Sequence, residues 1–161
     1  MTDAPRLWYE DVEVGDKSEL GRYTFTRERI IAFARKYDPQ GFHLDDEAAR
    51  TGPFGALTAS GWHTAAGFMR SWADTNERRR AEAEALGLPL PPVGPSPGFE
   101  KLEWLKPVFV DDTITYFGEV LAKRPLASRR EWGLVTSRNT GVNRAGETAF
   151  SFIAKVLVAR R

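Results

Sequence analysis

The sequence predicts an α+β fold in which an antiparallel sheet is covered by one long apolar helix. Three observations carry this. Leu57, Ala59, Trp62, Ala65, Ala66, Phe68, Met69 and Trp72 recur at mixed spacings of three and four, the signature of a helix buried nearly all round. The C-terminal half alternates apolar and polar residues over several stretches, as strands do. The last three of these stretches are joined by short connections, which favour antiparallel neighbours. One helix over one such sheet is a two-layer arrangement.

The elements follow in order. Asp16 to Phe25 reads as an opening strand after the Gly15-Asp16 turn, with Leu20, Tyr23 and Phe25 as its apolar residues. Thr26 stands where an N-cap belongs, before a helix through Ile30, Ile31, Phe33, Ala34 and Tyr37. Pro39 disfavours helical geometry at the residue before it, so this helix stops near Asp38. A loop to His43 leads into a short helix at Asp45 to Arg50, acidic in its first turn. Ala59-Ser60-Gly61 opens the long helix, which turns almost wholly charged from Asp74 to Glu84 and reads there as a solvated extension. Gly87 to Gly98 holds five prolines and reads as a surface loop.

Strand patterns then run over Phe99 to Val110 and from Ile114 to Ala122, and another opens at Trp132, Leu134 and Thr136. After the Asn143 to Gly146 turn, the last strand places Phe150, Phe152, Ala154, Val156 and Val158 on one face. Trp62, Phe68, Trp72 and Trp104 read as core, with the lining of a pocket as the alternative. The 161 residues form one domain, 1–161, with the charged extension and proline-rich loop over 74–97.

Composition narrows the chemistry. Twenty-three Lys and Arg nearly cancel twenty-two Asp and Glu, so a net charge of +1 gives no general attraction to nucleic acid or to an anionic membrane. Lys101, Arg124, Arg129 and Arg130 read as solvated surface. Cys is absent, which removes disulfides, thiolate nucleophiles and every Cys-based metal site. No apolar run approaches the ~18 residues of a membrane span. The start, Met1-Thr-Asp-Ala-Pro, followed by Glu10, Asp11 and Glu13, lacks the basic and apolar regions of a signal peptide, and the expectation is a cytoplasmic protein.

Several motifs carry nothing. There is no Gly-x-Gly-x-x-Gly and no P-loop. Gly94-Pro-Ser96-Pro-Gly98 matches a hydrolase nucleophile elbow in letters, but an elbow needs a strand feeding a helix, and no His follows Ser96. His43 and His63 are twenty residues apart and match no helical ligand pair, so no metal is expected.

The informative stretch is Tyr37-Asp38-Pro39-Gln40-Gly41-Phe42-His43-Leu44-Asp45. It places a carboxylate and an imidazole five residues apart in a loop held by helices on both sides, where catalytic groups tend to lie. Within reach of one water, such a pair can hold it and exchange protons near neutral pH. The bland alternative is that Asp38 caps a turn and His43 fills a corner. Downstream, free N–H groups at the start of the long helix, around Ser60 and Gly61, can stabilise a developing negative charge, and Gly61 has no side chain to bar a carbonyl oxygen. The alternative there is that Ser60 is only an N-cap and Gly61 a packing contact.

Asp38 to His43, Leu44-Asp45, the Phe54-Gly55 turn and the helix opening at Ser60-Gly61 together resemble the MaoC-like (R)-specific enoyl-CoA hydratases. The family signature runs Gly-Asp-x-Asn-Pro-x-His, followed by a Gly at the start of a central helix. Here the Asp-to-His spacing is retained, and Asp38 to Gly61 spans the twenty-three residues of the family pattern. Tyr37 replaces the leading Gly, Gln40 and Gly41 replace Asn and Pro, and Pro39 follows the Asp directly.

The resemblance implies a hot-dog fold, the sheet wrapped round the helix that begins near Ser60. It implies Asp38 and His43 as the catalytic pair, Gly61 with Ser60 at the oxyanion-binding helix N-terminus, and Gln40 as a supporting amide. It further implies an acyl-CoA substrate, no cofactor beyond the CoA that enters with it, and a homodimer or higher homo-oligomer. The reaction implied is reversible syn addition of water to a trans-2-enoyl-CoA. A hot-dog acyl-CoA thioesterase and a non-catalytic acyl-thioester-binding domain are the alternatives. For Gly61→Ala the expectation is a folded protein that has lost most of its activity.

Overall fold

A computed structural model describes residues 5–161. The Met1 to Ala4 start, part of the segment behind the signal-peptide reading, lies outside the described residues. Five strands form one antiparallel sheet: β1 (Lys17–Thr24), β2 (Gly98–Trp104), β3 (Thr113–Pro125), β4 (Trp132–Val142) and β5 (Thr148–Ala159). Their order across the sheet is β1-β3-β4-β5-β2, so β1 and β2 are its edges. The helices are α1 (Arg27–Tyr37), α2 (Asp46–Arg50) and α3 (Gly61–Ala85). This is the hot-dog arrangement, with α3 lying against the sheet.

Thr26 caps α1 by accepting from the Arg29 N–H, and Asp45 caps α2 by accepting from the Ala48 N–H. The core is aromatic. Phe68 of α3 meets Tyr116 of β3 and Phe152 of β5 edge-on at 5.8 and 4.8 Å between ring centres. Phe25, Ile30, Ile114 and Phe150 are buried around them, each worth about 1.5–3 kcal/mol of transfer from water. Gly67 lets α3 cross close over the sheet: a Cβ there would stand 2.8 Å from the Tyr116 hydroxyl and 3.0 Å from Phe25. The hydroxyl itself donates to the Thr64 carbonyl at 2.8 Å and pins the helix to β3.

Three expectations need correction. The helix begins at Gly61, and Leu57 to Ser60 run as a buried extended segment instead. Its Ala59 N–H donates to the Val108 carbonyl at 2.8 Å, with Thr58 bridged to Phe109. The helix is not buried all round: Trp62 and Met69 are 55% and 53% exposed, because periodicity shows which residues share a face but not whether anything covers it. The charged extension is solvated on one side only. Thr75 is buried, donating to the Leu20 carbonyl at 2.9 Å, and Ala83 is buried further along.

Gly87 to Pro97 is a loop, as expected, held to neighbouring elements, and Gly98 already opens β2. Its Pro95 carbonyl accepts from Leu157 of β5 at 3.0 Å, and the Ser96 hydroxyl donates to the Lys155 carbonyl at 2.7 Å. Ser96 is thus occupied in fastening a loop to β5, in keeping with the rejected elbow. Among the described residues, no helix is long and apolar enough to cross a membrane.

Candidate active site

The end of α1 and the start of α3 converge on one carboxylate. Asp38 is the C-cap of α1, its N–H donating to the Ala34 carbonyl at 2.9 Å, and Pro39 turns the chain away. Its Oδ1 accepts from the Gln40 side-chain amide at 2.7 Å. Its Oδ2 accepts from the Ser60 hydroxyl at 2.6 Å. The supporting amide moved to a longer stem in this sequence, yet Gln40 reaches the carboxylate. Partial burial pushes the Asp38 pKa up; the Ser60 and Gln40 hydrogen bonds, joined by the charge of His43, outweigh it and hold the carboxyl below the usual aspartate range.

His43 ends a single 3₁₀ turn, Gly41–His43, and is buried. Its Nδ1 lies 2.7 Å from the Thr58 carbonyl oxygen. A carbonyl only accepts, so Nδ1 carries a hydrogen and Nε2 is the nitrogen left to gain or lose one. Nε2 faces Asp38 Oδ2 across 3.5 Å. That is longer than a charge-assisted hydrogen bond, so both groups retain capacity for a third partner. Asp38 keeps 18% of its side chain exposed against 6% for His43, so the pair is reached from the Asp38 side.

Ser60 and Gly61 form the first step of α3. The Ser60 hydroxyl accepts from the Trp62 N–H at 3.2 Å while donating to Asp38, so its hydrogen is taken. The Gly61 N–H has no acceptor among the described residues. The structure thus joins Asp38, Gln40 and Ser60 by hydrogen bonds, with His43 facing the carboxylate at 3.5 Å and Gly61 at the adjoining helix end.

Trp104, read from the sequence as core, lies 43% exposed beside this end. Its indole N–H donates to the Gly61 carbonyl at 2.7 Å, and its ring meets Trp62 edge-on at 5.1 Å. A Cβ on Gly61 would come within 2.5 Å of the indole. Gly61→Ala, expected from the sequence to stay folded, therefore carries a packing cost: Trp104 must move to admit the methyl. No local signal announced this neighbour, which β2 delivers from forty-three residues away.

His63 stands apart from the cluster. It is buried, stacked on Phe33 with ring centres 4.6 Å apart, and its Nε2 lies 3.3 Å from the Tyr23 hydroxyl. Burial, helped by the nearby Arg29 charge, pushes its pKa down from 6.5 to about 4, so it is neutral at pH 7.

A family profile described as MaoC like domain matches residues 11–143. A crystal structure of a MaoC-like dehydratase from Rhodospirillum rubrum is 40% identical, with a TM-score of 0.80, covering 96% of this chain and 98% of that one. The (R)-hydratase PhaJ1 from Pseudomonas aeruginosa shares the fold at 24% identity and a TM-score of 0.68, over 97% of this chain and 88% of its own. An uncharacterised Bacillus subtilis protein, YdeM, is 26% identical over 94% of this chain and 98% of its own. With the Asp38–His43 pair set at the head of α3 against a five-stranded sheet, and with most of its length matched, the chain belongs to the MaoC-like domain family, whose fold is the hot dog.

Proposed function

We propose that the protein is an acyl-thioester hydratase and dehydratase, adding water reversibly and syn to a trans-2-enoyl-CoA to give a 3-hydroxyacyl-CoA. One observation carries this reading: an imidazole with its Nδ1 hydrogen committed to Thr58 lies 3.5 Å from a carboxylate held ionised by Ser60 and Gln40. That is a pair able to take a proton from, and return one for, a water reaching it from the more exposed Asp38 side.

In the forward direction the water is held by Asp38 and His43. As its oxygen bonds to C3, one of the pair takes its proton. The C2=C3 electron pair moves toward the thioester carbonyl, and C2 then receives a proton from the same side, giving syn addition. Base and acid are roles of the pair, taken in turn as the proton leaves the water and returns to C2. Negative charge on the thioester oxygen is met by the free Gly61 N–H and the positive end of α3, a 25-residue helix. CoA enters as part of the substrate, and the reaction needs no other cofactor.

The test is a panel of enoyl-CoA thioesters of increasing chain length. Loss of the enoyl absorbance with CoA still esterified is the expected outcome. Release of free CoA thiol would instead make the protein a thioesterase, and binding without turnover would make it a carrier of acyl thioesters.

The working form is a homodimer or larger homo-oligomer in this reading. Phe99, Trp104 and Leu105 are exposed on and just beyond edge strand β2, and Trp62 and Met69 are exposed on α3. An apolar edge of this kind is normally covered. Sedimentation showing only an 18.1 kDa species at micromolar concentration would refute it.

A further inference from the structure

We propose that the groove between α1 and α3 receives the phosphate-bearing carrier arm of the thioester, with Arg29 and Arg70 meeting the phosphate. The proposal rests on the thioester reading above for the identity of the ligand and extends it to a binding site.

The groove is a depression of about 560 Å³ lined by Tyr23, Phe33, His63 and Ala66, with Arg29 on one wall and Arg70 on the other. Its geometry follows from the two helices. α1 ends at Asp38 and α3 begins at Gly61, so both lead away from the catalytic pair. Arg29 lies nine residues before Asp38 and Arg70 nine residues after Gly61. At 1.5 Å per residue, each arginine Cα is about 13 Å along its helix from the reacting end. A pantetheine arm runs about thirteen bonds from sulfur to phosphorus, which spans about 15 Å at the per-bond reach of an extended backbone. A thioester placed at Gly61 thus brings its phosphate to the two arginines.

The charges agree. Arg29 and Arg70 are the cations lining the groove, no carboxylate lines it among the described residues, and His63 at its floor is neutral. Arg29 spends one N–H on the Thr24 carbonyl at 2.9 Å and rests over the Tyr23 ring, leaving the rest of its fork available. Arg70 pairs with Asp74 at 2.7 Å, but both side chains are more than half exposed. An exposed pair of this kind is weak and easily shared with a phosphate. The aromatic and alanine walls suit the apolar stretches of the arm between its amides.

The experiment measures calorimetric binding of butyryl-CoA and butyryl-pantetheine, saturated thioesters that cannot be hydrated. The proteins are wild type, Arg70→Gln and the Arg29→Gln/Arg70→Gln double variant. Wild type is expected to prefer the CoA thioester at least tenfold, and the double variant to lose about that factor for butyryl-CoA. Affinity for butyryl-pantetheine should stay within twofold throughout. Arg70→Gln, which removes only a surface pair, should lose several-fold with an unchanged melting temperature.

An unchanged affinity of the double variant for butyryl-CoA would overturn the proposal, as would equal loss for both ligands or no preference in wild type. Arginine-dependent preference for succinyl-pantetheine over butyryl-pantetheine, without any for CoA, would overturn it in favour of a carboxylated acyl chain. The two readings fail separately. Absence of enoyl-CoA hydration with arginine-dependent CoA binding removes the hydratase alone, and hydration with arginine-independent binding removes the groove alone.

Discussion

Ser60 joins Asp38 to the first turn of α3 with one hydroxyl, donating to Oδ2 at 2.6 Å and accepting from the Trp62 N–H at 3.2 Å. The group that lowers the carboxyl pKa is thereby the group that caps the helix. Ser60→Ala should remove both. A hydrogen bond to a charged partner is worth about 1.5–3 kcal/mol, so a loss of roughly tenfold or more in kcat/KM is expected. The Asp38 pKa should also rise, and the acid limb of the pH–rate profile should move to higher pH with it. A profile that keeps its acid limb while the rate falls would show that Ser60 acts on the helix alone.

The pair itself is tested by Asp38→Asn and His43→Gln. Asp38→Asn keeps the shape but presents an amide where Ser60 and Gln40 both donate. His43→Gln keeps a donor for the Thr58 carbonyl but removes the imidazole Nε2 that faces Asp38. Each should lower hydration by ~10²-fold or more. A folded variant turning over enoyl-CoA near the wild-type rate would remove that residue from the mechanism.

The sequence showed this pair because both members lie in one loop five residues apart, and the geometry of such a loop is local. It showed the head of α3 for the same reason, Ser60 and Gly61 being neighbours. The exposure of Trp62 and the placing of Trp104 were hidden because they depend on which elements β2 lies beside. The Thr58 carbonyl was hidden as well. It binds His43 only because Leu57 to Ser60 are extended beside Val108 and Phe109, where the apolar pattern suggested helix.

Gly61→Ala now has two effects to separate. The methyl meets the Trp104 indole at 2.5 Å, so the variant should melt below wild type even though Ala is the better helix former by roughly 0.5–1 kcal/mol. Trp104→Ala removes that obstacle. In the double variant the added cost of the Gly61 methyl should largely disappear from the melting temperature. If the Gly61 N–H serves the thioester oxygen, activity should stay low even then, since losing such a donor typically costs ~10²–10³-fold. Recovery of turnover along with stability would reassign Gly61 to packing alone.

His63 makes the stability of the fold depend on pH. Its folded pKa of about 4 lies below the ordinary 6.5, so between these values the unfolded chain binds the proton and the folded protein does not. Lowering pH from 6.5 toward 4 therefore favours unfolding, and below about 4 both states are protonated and the loss is complete. At 1.36 kcal/mol per pKa unit the difference corresponds to roughly 3 kcal/mol. His63→Gln removes this titration, together with the contact to Tyr23. Denaturant unfolding at pH 7 and pH 4.5 should then show wild type losing more stability than the variant, the gap between them narrowing by about 2–3 kcal/mol. The comparison between pH values isolates the proton, because the lost Tyr23 contact is common to both. Equal losses in the two proteins would show that His63 is already able to charge in the folded state, through movement of Phe33 away from its ring.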